Sequence, residues 1–208
     1  MIPILILAAG ASSRMAPRDK LLEPVAGEPI LRRMARIARQ ASESVIVVLP
    51  PDRPLRTATL AGLPVLQVIA NDAALGMTAS LRAGLRATPA APGLMLLPAD
   101  MPGIEASDLS DIIAVFLQDP RRLLRGASEA GHPGHPAIFP ADLWPALAAL
   151  TGDEGGRSVI LANRHRLTLV PLPGNRATLD LDTPEDWDNW RRTNGGQVIE
   201  SQAQGRLP

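Results

Sequence analysis

Three short runs dominated by apolar residues organise the first half of the chain. They lie at residues 4–7, 44–49 and 94–97 and show no regular alternation of apolar and polar positions. Such runs are typical of strands buried on both faces of a parallel sheet, because an exposed face would bring in polar residues at every second position. Residues 30–41 carry apolar positions near helical spacing with arginines between them, which predicts an amphipathic helix. Strand, helix and strand in this order predict a parallel βαβ unit with a right-handed crossover.

The alternation of strands and helices continues to about residue 190. We expect a strand at residues 64–69, helices at 80–87, 107–117, 143–150 and 157–163, and a last strand at 167–172. Ser107 is the expected cap of its helix, and residues 126–139 are expected to be rich in loops. The chain is therefore predicted to form a single Rossmann-like, three-layer α/β domain over residues 1–193 with a mostly parallel central sheet. Residues 194–208 are polar and small, which predicts a disordered C-terminal tail.

The composition excludes several classes of function. The 208 residues include 21 basic and 21 acidic side chains, a zero balance that argues against a nucleic-acid or membrane-surface partner. No cysteine is present, which excludes disulfides, thiolate metal sites and a cysteine nucleophile. The first apolar run is too short to span a membrane and has no basic leader, so we expect a cytoplasmic protein.

The loop that follows the first apolar run has the chemistry of an anion site. Its small residues leave room for a ligand against the backbone, Gly10 can adopt a positive φ, and hydroxyls and cations follow. The residues concerned are Ala8, Ala9, Gly10, Ser12, Ser13, Arg14 and Lys20. A strand that ends in Ala-Gly and a polar turn is also common in α/β proteins without a ligand. A single glycine before residue 27 excludes the three-glycine dinucleotide fingerprint, and the Gly-Lys-Ser/Thr phosphate loop is missing as well.

Two carboxylates stand out as candidate ligands of a divalent cation. Asp100 lies between Pro98 and Pro102 directly after a buried strand, where open α/β sheets bind their ligands. Its structural alternative is an aspartate that caps a turn. Asp182 opens an Asp-Thr-Pro-Glu-Asp segment whose structural interpretation is the capped start of a helix. Asp180 lies on the same side of the extended stretch and is the substitute for Asp182.

These segments together resemble the MobA-like nucleotidyltransferases, and among them most the molybdenum cofactor cytidylyltransferases. The resemblance covers about residues 4–190. It rests on five segments in the family's order: residues 7–15 followed by Asp-Lys-Leu-Leu at 19–22, Pro-Ala-Asp-Met-Pro at 98–102, Gly-His-Pro at 134–136, residues 152–157, and Asp-Thr-Pro-Glu-Asp at 182–186. The chain departs from the family at Ala16, where glycine is usual, and Pro17 and Arg18 lengthen the same loop. The resemblance implies the fold of the nucleotide-diphospho-sugar transferases.

The resemblance also implies roles for individual residues. Asp100 and Asp182 would bind Mg²⁺. Lys20 would bind the triphosphate and Arg14 the phosphate region, and with Asp100 these two form the catalytic set. The nucleotide would contact the residues Leu7, Ala8, Ala9, Gly10, Ser12, Ser13, Arg14, Lys20, Asn71, Gly76 and Ser80. The acceptor would contact His135, Asp153 and Arg157. His135 is not needed as a base, because a phosphate monoester is already ionised at neutral pH.

The implied reaction moves CMP from CTP to the terminal phosphate of molybdopterin or the molybdenum cofactor and releases pyrophosphate. Guanylyl-transferring relatives usually carry glycine where Ala9 stands, and a methyl group that crowds a purine favours CTP over GTP by about 10- to 200-fold. The alternatives are a guanylyltransferase, a transferase for another small phosphorylated acceptor, and a non-catalytic nucleotide- or cofactor-binding chaperone. A molybdoenzyme or its chaperone is the expected protein partner.

Overall fold

The computed structural model describes residues 1–152 and 155–203, and side chains as far as Asn194. Within these residues one seven-stranded sheet has the strand order β5-β4-β1-β6-β8-β7-β9. Its strands are β1 (Ile4–Leu7), β4 (Val45–Leu49), β5 (Leu66–Ile69), β6 (Gly93–Pro98), β7 (Leu123–Ala127), β8 (Pro133–Pro140) and β9 (Leu167–Pro171). A separate small hairpin pairs β2 (Pro24–Val25) with β3 (Glu28–Pro29). The strands β5, β4, β1 and β6 are mutually parallel, which confirms the predicted mostly parallel α/β sheet.

The helices cover both faces of this sheet and make the predicted three layers. They are α1 (Ile30–Ala41), α2 (Pro54–Thr59), α3 (Met77–Ala87), α4 (Ala106–Gln118), α5 (Trp144–Ala148), α6 (Arg157–Ala162) and α7 (Pro184–Ala203). Alternate residues of β1 enter different cores, with Ile4 and Ile6 facing α1, α4 and Trp187 while Leu5 faces α3. Burial of β1 on both faces explains its unbroken apolar sequence. No helix among the described residues is long and apolar enough to cross a membrane.

The prediction that residues 126–139 are rich in loops is wrong. Residues 133–140 form β8, which lies between β6 and β7 in the sheet. Both of its pairings are antiparallel. Prolines at 133, 136 and 140 hide this strand in the sequence, since proline is unusual in a central strand. The register between β7 and β8 shifts between Arg125 and Ala127, and this irregularity lies opposite the segment that contains Pro136.

One helix start differs from the sequence pattern, and the start of the last helix follows it. The cap of α4 is Glu105 rather than Ser107, and Glu105 forms a reciprocal capping box with Asp108. At α7, Thr183 accepts from the Asp186 backbone N–H while the Asp186 carboxylate accepts from the Thr183 N–H. Helix α7 continues beyond residue 193 to Ala203, and the rest of the predicted tail, 204–208, lies outside the described residues. The division at residue 193 stays a prediction.

Candidate active site

The loop after β1 leaves backbone donors and open space at the carboxyl edge of the sheet. A Cβ added at Gly10 would have nothing within 4 Å. The positive φ of this loop occurs at Ser12, at 53°, and not at Gly10, the glycine expected to adopt it. Within the described part of the chain, the backbone N–H groups of Gly10, Ala11 and Ser13 donate to no other group. An unobstructed turn with free N–H groups is suited to a phosphate.

Arg56 of α2 hydrogen-bonds to this loop and was not predicted from the sequence. Its side chain is completely buried. Nη1 donates to the carbonyls of Ala8 at 2.7 Å and Gly10 at 2.8 Å, and Nη2 donates to Ser12 Oγ at 2.9 Å. Nε and Nη2 also bind Asp19 Oδ2 and Oδ1 at 2.7 and 2.8 Å. All five N–H groups of the guanidinium therefore have a partner.

Lys20 joins the two carboxylates that the sequence singled out. Its Nζ lies 2.5 Å from Asp100 Oδ2 and 2.5 Å from Asp182 Oδ1. Arg14 Nη1 binds the other oxygen of Asp182 at 2.7 Å. Burial alone would lower the pKa of Lys20, but the charges and hydrogen bonds of Asp100 and Asp182 outweigh it and raise the pKa above its ordinary value. Four of the predicted site residues therefore form one cluster, although they lie up to 168 positions apart.

Asp100 and Asp182 meet because the chain returns to the end of β6 before α7 begins. The backbone N–H of Leu181 donates to the carbonyl of Asp100 at 3.3 Å, and the Leu181 side chain is buried. The cap of α7 uses Thr183 and Asp186, so the Asp182 carboxylate is free to face Lys20. The helix-cap interpretation of this segment and its role at the site are thus compatible.

Asp180 lies close enough to interact electrostatically with the same cluster. Burial raises its pKa above the ordinary value, and the negative charges of Asp100 and Asp182 raise it further. An ionised Asp180 adds negative potential beside the Lys20 ammonium, which binds the other two aspartates. Among the described residues, Lys20 forms an ion pair with Asp182 and none with Asp180, so the contacts favour Asp182 over Asp180 as the second ligand.

The donor set at this cluster fits a divalent cation of the magnesium type. Two carboxylates already share one positive charge, that of the Lys20 ammonium, between them. Magnesium is commonly held by one or two carboxylates together with water and phosphate oxygens. The described residues contain no group of three or more His, Cys, Asp or Glu side chains with metal-binding geometry. Among the described residues, the candidate ligands at this cluster are Asp100 and Asp182.

The segment predicted to meet the base follows β5. Asn71 is exposed there, Gly76 has a φ of 109° before the first turn of α3, and Ser80 is 5% exposed within that helix. Strands β5 and β1 run parallel in the same sheet, so their carboxyl ends lie at the same edge. Asn71, Gly76 and Ser80 remain predicted nucleotide contacts.

On the other side of Asp100, His135 lies in a positively charged environment. Burial and the neighbouring charge of Arg125 lower its pKa to about 4, against an opposing effect of Asp100. The buried Nδ1 has no hydrogen-bond partner within the described residues. Arg125, a residue not predicted, donates through Nε to the Gly134 carbonyl at 2.7 Å. Burial lowers the pKa of Arg125 and the charge of Arg157 lowers it further, so two guanidinium groups and a neutral imidazole share this region.

Gly134 allows the Gly-His-Pro segment to pack directly against the backbone of Ala177, five residues before Asp182. A Cβ at Gly134 would lie 1.8 Å from the carbonyl oxygen of Ala177, and the His135 N–H donates to that same oxygen at 2.7 Å. The glycine is thus required by a close backbone approach. Asp153, the third predicted acceptor contact, lies outside the described residues.

The chain is similar to known proteins in sequence and in fold. The family of the MobA-like NTP transferase domain matches residues 4–167. A molybdenum cofactor guanylyltransferase of Cereibacter sphaeroides is 33% identical over 195 residues, which are 88% of this chain and 91% of the relative.

Solved structures show the same fold. Rv0371c of Mycobacterium tuberculosis H37Rv superposes with a TM-score of 0.77 at 30% identity, over 92% of this chain and 96% of that one. Its complex with manganese has a TM-score of 0.75 at 29% identity, over 90% and 96% of the two chains. CMP:2-keto-3-deoxy-manno-octonic acid synthetase complexed with CTP gives 0.74 at 14% identity, over 94% and 99%, a likeness of fold alone.

Proposed function

The chain belongs to the MobA-like NTP transferase domain family, and we propose that it transfers CMP from CTP to the terminal phosphate of a molybdopterin-type acceptor. Membership of this family makes it a nucleotidyltransferase. The observation that carries the proposal is the cluster in which Lys20 is bound by Asp100 and Asp182 beside a loop with free backbone donors.

In the proposed reaction a phosphate oxygen of the acceptor attacks the α-phosphorus of the nucleotide in line. The bond to the bridging oxygen breaks, and pyrophosphate leaves with the electron pair. Lys20 and Arg14 would bind the triphosphate and neutralise the charge that grows on the leaving group. Free N–H groups of the loop at 10–13 would donate to phosphate oxygens. No general base is required, since the acceptor phosphate is ionised at neutral pH.

Asp100 and Asp182 would hold Mg²⁺, the cofactor we propose. When bound, the ion supplies positive charge to phosphate oxygens and orients them. The manganese complex of Rv0371c supports a divalent cation in this fold. For this chain the support is the pair of carboxylates that already share the Lys20 charge.

The acceptor is proposed to bind on the His135 side of Asp100. Arg125 and Arg157 are two cations near each other, which suits the dianion of a phosphate monoester. A neutral imidazole with an unpartnered Nδ1 can make a further hydrogen bond there. Molybdopterin is proposed because the acceptor named for the Cereibacter sphaeroides relative is the molybdenum cofactor. Asp153 and Arg157 stay proposed acceptor contacts.

For the nucleotide base, the proposal has one specific alternative, guanine in place of cytosine. Ala9 takes the place of a glycine and favours CTP. Only 8% of its surface is exposed, so the methyl group has little area to contact a base and its effect on the choice of nucleotide is modest. GTP is the second candidate, because the relative that is 33% identical over 195 residues is a guanylyltransferase. We further propose that the product passes to a molybdoenzyme or its chaperone, in the cytoplasm.

The experiment is a turnover assay of the purified chain with Mg²⁺, molybdopterin and each of CTP, GTP, ATP and UTP in turn. Pyrophosphate release and the dinucleotide product are both measured, and Asp100→Asn and Asp182→Asn are compared with the wild type. We expect release from CTP that both variants lose. Release from GTP alone would replace the base assignment and keep the reaction. Nucleotide binding without transfer would instead favour the non-catalytic chaperone.

A further inference from the structure

Arg56 lies outside every segment that the sequence connects with nucleotides, yet its side chain is completely buried under the phosphate loop. It belongs to α2, a six-residue helix between β4 and β5. The whole guanidinium is used on the loop at 8–12 and on Asp19.

The groups that Arg56 joins belong to two separate parts of the site. One part is the loop, through the Ala8 and Gly10 carbonyls and the Ser12 hydroxyl. The other is the Asp19 carboxylate, which directly precedes Lys20. A guanidinium is planar and its donors point in set directions. One rigid group therefore sets the distance between the loop amides and Lys20.

Asp19 transmits this arrangement to the lysine. Its Oδ1 also accepts from the Leu21 N–H at 3.1 Å and so caps the short helical turn that starts at Lys20. Burial alone would raise the pKa of Asp19, but the hydrogen bonds and charge of Arg56 outweigh it and hold the pKa below the ordinary value. The pair is ionised and buried, with 0% and 9% of the Arg56 and Asp19 side chains exposed.

We infer that Arg56 is a positioning residue for triphosphate binding, and that it acts by fixing the loop and, through Asp19, the Lys20 ammonium. The inference rests on the proposed function, since it names the support of that same site. Lysine cannot replace Arg56, because an ammonium has three N–H groups for the five acceptor atoms present. At least two of them would lose their donor.

The first test compares Arg56→Lys with Arg166→Lys in the full chain. Arg166 is a matched control, because it also binds one carboxylate with two nitrogens, that of Asp142, and a backbone carbonyl, that of Arg121, away from the site. Hydrogen exchange and calorimetric binding of CTP and GTP are measured. In Arg56→Lys we expect faster exchange confined to residues 8–22 and nucleotide binding weakened about tenfold, the effect of one lost hydrogen bond to a charged group.

Steady-state kinetics adds the KM of each substrate, which a loss of folded protein would leave unchanged. For Arg56→Lys we expect the nucleotide KM to rise about tenfold while the acceptor KM stays at the wild-type value. The kcat should also fall, by up to about 100-fold, as for a misplaced catalytic group. Arg166→Lys should match the wild type in each measurement. Uniformly faster exchange, or unchanged nucleotide binding, would overturn the inference.

Asp19→Asn is the second variant, for the case in which Arg56→Lys does not fold. It keeps the shape of the side chain and the Arg56 bonds to the loop. Its amide nitrogen cannot accept a hydrogen bond, so one of the two Arg56–Asp19 bonds that hold the Lys20 segment is lost. We expect weaker nucleotide binding and faster exchange at residues 19–22, and wild-type behaviour there would overturn the inference. If the wild type binds nucleotides but transfers nothing, the proposed reaction fails while the binding comparison still tests Arg56. A wild type that binds no nucleoside triphosphate would overturn both.

Discussion

The Lys20 ammonium nitrogen lies 2.5 Å from Asp100 Oδ2, so the carboxylate at the end of β6 already has a cationic partner within the protein. Each of the two side chains is 15% exposed. The same nitrogen binds Asp182, which makes Lys20 the internal counter-ion of both proposed metal ligands. A divalent cation that binds these aspartates must compete with the lysine.

Lys20→Met is therefore expected to separate metal affinity from activity. Without the ammonium, the carboxylates of Asp100 and Asp182 keep their charge and should bind Mn²⁺ at least about tenfold more tightly in the absence of nucleotide. Turnover should fall by about 10²- to 10³-fold, as for the loss of one electrostatic stabiliser. Mn²⁺ titration followed by EPR measures the first effect. Lys20→Arg keeps the charge and is the control, and equal Mn²⁺ affinity in all three proteins would contradict the competition.

Arg125→Met should affect the acceptor and not the nucleotide. Removing one cation from the pair with Arg157 should raise the acceptor KM by about tenfold, the loss of one charge-assisted hydrogen bond. Steady-state kinetics with each substrate varied in turn measures the effect. Arg122→Met, which removes a largely exposed arginine that contacts Thr168, is the control. A raised nucleotide KM would instead assign Arg125 to nucleotide binding and contradict its role at the acceptor.

Ala9→Gly tests the choice of base. Loss of the methyl group should increase the ratio of GTP to CTP use by about tenfold, the lower end of what one methyl group can discriminate, because Ala9 is largely buried. Competition between the two nucleotides in one assay measures the ratio. Ala11→Gly changes an exposed residue of the same loop and controls for added backbone freedom. An equal change in both variants would assign the effect to flexibility instead.

His135 should make the folded state sensitive to acid. Its pKa in the folded protein is about 4 against an ordinary 6.5, so the unfolded chain binds more protons between these values. This contribution to stability is present above pH 6.5 and is lost as the pH falls toward 4. Between pH 7.5 and 5.0 it amounts to about 2 kcal/mol.

Urea unfolding at the two pH values measures this loss for the wild type and for His135→Gln. The variant should show a pH dependence smaller by that amount. His132→Gln removes an exposed histidine three residues earlier and controls for the loss of a histidine as such. Identical pH dependence in wild type and His135→Gln would show that the buried imidazole is not the source.

Gly134→Ala should destabilise the fold at the site. The added Cβ would lie 1.8 Å from the Ala177 carbonyl oxygen, so the strand and the turn must separate and weaken the His135 hydrogen bond. We expect a loss of about 1–3 kcal/mol in the free energy of unfolding, as for other overpacked positions, and reduced turnover. Gly103→Ala, whose Cβ would have no neighbour closer than 3.4 Å, should stay within about 0.5 kcal/mol of the wild type.

The parts of the site that could be predicted from the sequence follow from local patterns. Buried parallel strands are short apolar runs, and residues after their carboxyl ends meet at one edge of the sheet. This placed Asp100 and the loop before Lys20 correctly at the same edge, as their contacts show. The resemblance added Asp182, whose local sequence alone favours a helix cap.

The missed parts depend on contacts that the local sequence does not show. Arg56 is 37 positions from Asp19, and its six-residue helix is too short to show a period. Its burial is visible only once the loop lies above it. Arg125 was missed for a different reason: its partner Gly134 is only nine positions away but belongs to β8, a strand whose prolines conceal it. Side chains whose partners are far apart in sequence, or lie in a concealed strand, leave no local pattern.

Lys20 also differs in residue type from every other basic side chain that bears a permanent charge in this sequence. It is the only lysine of the chain, and the other twenty basic residues are arginines. Apart from an α-amino group, the single primary amine that this sequence provides is thus the one held between Asp100 and Asp182. An amine-selective acylating reagent will act as a reporter of this site without any engineered label. The extent of reaction at Lys20, separated from that of the α-amino group by peptide mass spectrometry and compared with and without nucleotide, reports whether the ammonium is free of its carboxylates.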